Sequence, residues 1–126
     1  MQRLKKRQDF LHVRDGRKAH AATLTLQARP APGATEEARA GFTATKKTGG
    51  AVERNRIRRR LREAVRRIGA LHARPGHDYV LIGRTAALNA PFGAILDDLS
   101  QAFARVHADG SRASRRSGRP ADEASR

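Results

Sequence analysis

Between Arg54 and Arg67, eight of fourteen residues are arginine and only Glu63 is acidic. Guanidinium groups make planar, two-pronged hydrogen bonds to phosphate and carboxylate and stack on flat rings. So dense a run of cations does not fit a buried core, and its self-repulsion opposes folding unless a polyanion answers it. At 100° per residue, Ile57, Leu61, Ala64, Val65 and Ile68 fall within about 100° of arc, an apolar stripe able to lie on a sheet. Asn55, Arg58, Arg59, Arg62 and Arg66 occupy one adjoining flank; Arg56, Arg60, Arg67 and Glu63 occupy the other. The first flank is an unbroken polar ladder able to follow a sugar-phosphate backbone. The second is tempered by Glu63, which stands at helical spacing from Arg59, Arg60, Arg66 and Arg67. An ordinary solvated face interleaves both signs, and this one does not. Asn55, near the helix start, is either a cap or a two-sided hydrogen-bonding group in a field of cations.

Lys46 and Lys47 precede this helix and would stand at the same sheet edge as its N-terminus, whose exposed amides also favour anions. The alternative is that they protect a strand end from edge-to-edge pairing. Of the aromatic residues, Phe92 and Phe103 belong to a core stripe. Phe10, on a short N-terminal helix, suits either core packing or stacking on an unpaired base. No catalytic centre is visible. His12, His20, His72, His77 and His107 include no pair at helical ligand spacing. Asp97 and Asp98 are adjacent on a helix, so they diverge and read as solvated carboxylates, whereas metal-dependent hydrolysis needs converging ones. No metal site is expected. A basic domain without a catalytic set suggests a helper to another molecule's chemistry.

The composition agrees. The chain has 126 residues, a formal net charge of +15 and a pI near 11.8. That balance is the electrostatic footprint of a nucleic-acid binder. A membrane surface would favour a helix with a broad aromatic or leucine face; the chain has no Trp, and its basic helix carries no aromatic residue. There is no cysteine, which fits a reducing, cytoplasmic setting. No apolar run approaches a membrane span, and the basic start, Met1 to Arg7, has no hydrophobic region behind it.

The elements that must position these residues can be read from periodicity. A short helix over 8–14 ends at Gly16, with Phe10 and Val13 on one face. Residues 22–28 alternate as a strand with Leu24 and Leu26 inward. Pro30, Pro32 and Gly33 mark a loop over 29–39. A second strand runs over 40–47, Gly49-Gly50 breaks it, and the arginine helix begins near Ala51 or Val52. A third strand covers 78–84. Phe92, Ile95, Leu96, Leu99, Ala102, Phe103 and Val106 then recur as an amphipathic helix. Residues 1–107 read as one domain and 108–126 as a disordered, mildly basic tail. The order helix, strand, strand, helix, strand, helix implies an α+β sandwich with helices mainly on one face. If the strands flanking the basic helix are parallel neighbours, their crossover is by default right-handed.

The segment Lys46-Lys47-Thr48-Gly49-Gly50-Ala51-Val52-Glu53-Arg54-Asn55-Arg56-Ile57 and its continuation to Glu63 closely resembles the signature of the bacterial ribonuclease P protein subunit. Asp9 to Val13 and Asp78 to Arg84 agree with it, so the likeness covers roughly residues 3–106. The resemblance implies a small two-layer sandwich with one mixed sheet of about four strands, order α-β-β-β-α-β-α, and a left-handed β-α-β crossover. It implies a partner, the ribonuclease P RNA, bound as one protein per RNA. That RNA, with Mg2+ at its own active site, removes the 5′ leader of precursor tRNA, while the protein alone binds no cofactor. Contacts to the catalytic RNA would fall on Arg54, Asn55, Arg56, Arg58, Arg59 and Arg62, with Arg66 continuing the ladder. The leader cleft would hold Phe10, Lys46 and Lys47. Arg14 stands there where members often have an aromatic, and Arg60 stands at a place often apolar.

Overall fold

The computed structural model describes residues 2–4, 7–30 and 37–108. The expected tail beyond 108, and Pro32 and Gly33 of the expected loop, lie outside the described residues. In chain order the elements are β1 (Gln2–Arg3), α1 (Arg7–Arg14), β2 (Arg17–His20), β3 (Leu24–Pro30), β4 (Arg39–Ala44), α2 (Ala51–His72), β5 (His77–Gly83) and α3 (Phe92–Val106). Short 3-10 turns precede α2 at Lys46–Thr48 and α3 at Thr85–Leu88.

One mixed sheet runs in the order β1-β4-β5-β3-β2. β5 lies at its centre, parallel to β4 and antiparallel to β3. β2 and β3 form an antiparallel pair, and β1 adds two residues parallel to the edge of β4. From α1 onward the order is the α-β-β-β-α-β-α of the resemblance, with the short β1 as a fifth strand. Periodicity alone missed β2, Arg-Lys-Ala-His, because only Ala19 is buried and a single inward residue gives no alternation to read. Lys46 and Lys47 leave the strand rather than extending it. They sit in the 3-10 turn, where Thr48 Oγ1 donates to Thr45 O at 2.6 Å.

Strand alternation divides the core in two. Leu24, Leu26, Tyr79 and Leu81 face α2 and α3, whose Ile57, Leu61, Ala64, Ile95, Leu99 and Phe103 complete the larger cluster. On the opposite face α1 lays Val13 and Phe10 on Val80, Ile82 and Leu4. The two long helices thus share one face, as expected, and the short α1 covers part of the other. Each face has a glycine where a helix side chain rests on strand backbone. A Cβ at Gly83 would come 2.2 Å from Ile57 Cγ2, and one at Gly41 would come 2.4 Å from Phe10 Cζ.

Two polar groups are held deep in this frame. Asp78 is 1% exposed and survives there because Arg39 grips it with both prongs, at 2.8 and 2.6 Å. Asp9 adds a longer contact at 3.8 Å that ties α1 to the same guanidinium. The Arg39 pKa is raised, first by its hydrogen bond to Asp78. Asp98, expected to be solvated, accepts from Thr23 N at 3.1 Å and Thr23 Oγ1 at 2.7 Å, pinning α3 to the β2–β3 turn. Tyr79 is buried beside Phe103; its hydroxyl accepts from Arg74 N at 2.8 Å and lies 2.7 Å from His107 Nε2.

Gly83→Ala is expected to lower the unfolding free energy by about 1–3 kcal/mol in urea titrations, because Ile57 has no room to yield. Burial raises the Tyr79 pKa above its ordinary 10, only partly opposed by Arg74. The stability this contributes is complete below the unfolded value near 10 and is lost as pH rises through the higher folded value. Tyr79 is the only tyrosine and there is no Trp, so tyrosinate absorbance reads it directly. Its midpoint is expected above 10 in the folded protein and near 10 in denaturant.

Candidate nucleic-acid interface

α2 begins without a side-chain cap. Gly50 holds the cap position, and Glu53 Oε1 reaches back to accept from Gly50 N at 3.0 Å. Asn55 is therefore not the cap. It lies exposed in the second turn, where its side-chain oxygen accepts from Arg58 Nη2. Burial of Ile57, Leu61, Ala64 and Val65 turns the expected stripe onto the sheet and sets the direction of every arginine around it.

The two flanks of α2 meet different surroundings. One faces α3 and the turn before it. Arg56 Nε donates to Leu88 O at 3.0 Å. Arg60 donates to Ala87 O at 2.7 Å, Leu88 O at 3.2 Å and Ala90 O at 2.6 Å. Arg67 lies 4.9 Å from the centre of the Phe92 ring. Arg60, at the border of the stripe, is thus half-buried and ties two elements together. Its role was hidden because its partners are backbone carbonyls, which no side-chain pattern reveals.

The other flank looks away from α3. Among the described residues, neither Arg59 nor Arg62 has an ion-pair or hydrogen-bond partner. Arg54 makes only a long contact, Nε to Gly50 O at 3.4 Å. Arg66 shares Glu63 with Arg67, each through an Nε contact of 2.9 Å. Those hydrogen bonds, Arg66 first, hold the Glu63 carboxyl down at about 2. It therefore stays ionised over the whole neutral and mildly acid range, and it neutralises part of the helix's C-terminal half. The unneutralised cations cluster towards the N-terminal half.

That half stands beside Lys46 and Lys47, both exposed, at the end of the sheet where β4 and β5 finish. Phe10 is not on this edge. Its half-buried ring covers Gly41 on the α1 face, so it packs, while its outer side remains accessible. Arg14 is exposed in the last turn of α1. The pairing His20↔Thr25 and Lys18↔Gln27 places Lys18 and His20 on the α1 face too. His20 Nδ1 lies 3.1 Å from Thr25 Oγ1. Sequence reading missed both because it missed β2; the signal was the Gly16 break followed so soon by the alternation from Leu24. Among the described residues no three His, Asp or Glu side chains converge as metal ligands, and no helix is long and apolar enough to cross a membrane.

Comparison with known proteins follows the same geometry. Residues 1–107 match the family described as Ribonuclease P. The "Ribonuclease P protein component" of Paramagnetospirillum magneticum is 51% identical over 112 residues, covering 86% of this chain and 84% of that protein. The protein of the same description from Caulobacter vibrioides is 45% identical over 120 residues, covering 92% and 80%. The solved "RNase P protein from Thermotoga maritima" superposes with a TM-score of 0.71 at 25% identity, covering 86% of this chain and all of that one.

Arg60→Leu strands the Ala87 and Ala90 carbonyls, while Leu88 O keeps Arg56, and its expected cost is about 1–3 kcal/mol. Arg62→Leu, with no partner to lose, is expected to stay within about 0.5 kcal/mol of the parent. Parallel urea titrations of the two variants check the division between tethered and free arginines.

Proposed function

Because this chain belongs to the bacterial ribonuclease P protein family, we propose that it binds the ribonuclease P RNA through α2 and the 5′ leader of precursor tRNA across the α1 face of the sheet. Membership makes it a protein component of ribonuclease P. The observation that carries the finer reading is the uneven tethering of α2. Arg56, Arg60 and Arg67 are held by the protein's own groups, while Arg59 and Arg62 are left for an outside anion. Arg54, Asn55 and Arg58 extend that surface towards the helix start, and Arg66 continues it beyond Arg62.

In this reading the protein supplies charge and position, and the RNA supplies the chemistry. Mg2+ held by the RNA would supply the Lewis-acid chemistry of hydrolysis, and no side chain of this protein is assigned to it. Lys46 and Lys47, with Arg14 and Phe10 on the α1 face, would hold the leader so that the scissile phosphate stays at that site. Phe10 offers a ring face for one unpaired base, and the lysines act as mobile point charges on phosphate. One protein serves one RNA, in the cytoplasm where tRNA is made.

The deciding experiment is 5′ cleavage of a precursor tRNA at low Mg2+ with ribonuclease P RNA alone, protein alone, and both. Rapid cleavage is expected only with both; cleavage by protein alone would move the chemistry to the protein. In the same system Arg59→Ala and Arg62→Ala are each expected to flatten the log–log salt dependence of RNA binding by about 0.7–0.9, the yield of one lost phosphate contact. An unchanged slope in both would take the RNA off this flank.

A further inference from the structure

The free flank of α2 does not face open solvent alone. Between it and the β1–β4 edge of the sheet runs a groove of about 480 Å³. Its floor is apolar, formed by Phe42, Ala40, Val65 and Ala70. Arg3 stands on one wall, and Arg59, Arg62 and Arg66 stand on the other. Phe42 is half-buried on the α2 side of β4, whereas Phe10 lies over Gly41 on the opposite side. The groove is therefore a different surface from the leader cleft.

A purely electrostatic contact to duplex phosphates needs no apolar floor. A membrane or an apolar peptide would need no ring of guanidinium groups. The pairing of one aromatic face with cations on both sides matches a single nucleotide: a flat apolar base carrying a phosphate at each end. We propose that this groove receives one unstacked nucleobase of the bound RNA. The base lies against Phe42, and its flanking phosphates are held by Arg59 and Arg62 on one side and Arg3 on the other. Glu63 also lines the groove, but its carboxylate is paired with Arg66 and Arg67, which offsets its charge towards the phosphates. This inference rests on the reading of α2 as an RNA-binding helix and adds to it a contact that senses a base.

The test uses two hexanucleotide probes with the full chain. One carries only abasic spacers on its phosphate backbone, and the other carries a single central adenosine. Base–aromatic stacking is worth ~1–3 kcal/mol, so the adenosine is expected to tighten binding roughly tenfold. Phe42→Leu keeps apolar bulk without the ring, and Ala70→Leu fills the groove from an exposed helix position; both are expected to abolish that gain while the abasic probe binds as before. A gain that persists in both variants, or no gain in the parent protein, overturns the nucleobase slot and leaves the RNA-binding reading of α2 intact. Failure of both probes to bind the parent protein overturns both.

Discussion

The placement of α2 depends on a contact with no polar chemistry in it. Ile57 presses its Cγ2 onto the backbone of β5 at Gly83, so closely that a single added carbon would lie 2.2 Å away. That contact sets both the height of the helix above the sheet and its rotation. Rotation matters because the arginines encircle the helix almost completely. With Ile57, Leu61 and Ala64 fully buried, the carbonyls of Ala87, Leu88 and Ala90 meet Arg56 and Arg60, and Arg59 and Arg62 are left outward. A small roll about the axis would exchange tethered cations for free ones.

Glycine does comparable work on the other face, where Gly41 admits the Phe10 ring. The sheet is thus a thin plate approached closely from both sides, and its two surfaces are coupled through adjacent strands. Arg39 reinforces the plate from the α1 side. Its two-pronged grip on Asp78 compensates a carboxylate that burial would otherwise penalise by several kcal/mol. The same guanidinium also reaches Asp9, so the ion pair that closes β4 against β5 helps seat α1.

Strong periodic segments were legible in the sequence. α3, β3 and β5 were each placed to within two residues, and so was the start of α2, because burial on one face imposes a period that composition cannot hide. β2 was not, since three of its four residues face outward. β1 was not, since two residues carry no period at all. The apolar stripe and both arginine flanks followed from helical geometry, but their unequal fates did not. Which flank the protein itself occupies depends on where β5 delivers the Thr85–Leu88 turn and α3, and on carbonyl acceptors that every residue type possesses. Asp98 escaped for the same reason: its partner, Thr23, is 75 positions away. The motif that carried the family resemblance spans the 3-10 turn and the start of α2, where the local backbone needs Gly49 at φ 137° and an acid at position 53 to meet the Gly50 amide.

Among the described residues the central strand is also the last strand. β4 must wait for 22 helical residues before β5, its parallel neighbour towards the centre, exists, and β3 waits longer still. Among the described strands only the β2–β3 hairpin is a local pairing. During synthesis the arginine helix therefore emerges before there is a sheet for its apolar stripe to cover. The sheet cannot be completed until residue 83 is available, and it then closes through contacts of high sequence separation, the kind that form slowly. Such a topology has little capacity for a stable half-built state, so the same strand order that displays the cations also makes their display an all-or-none event.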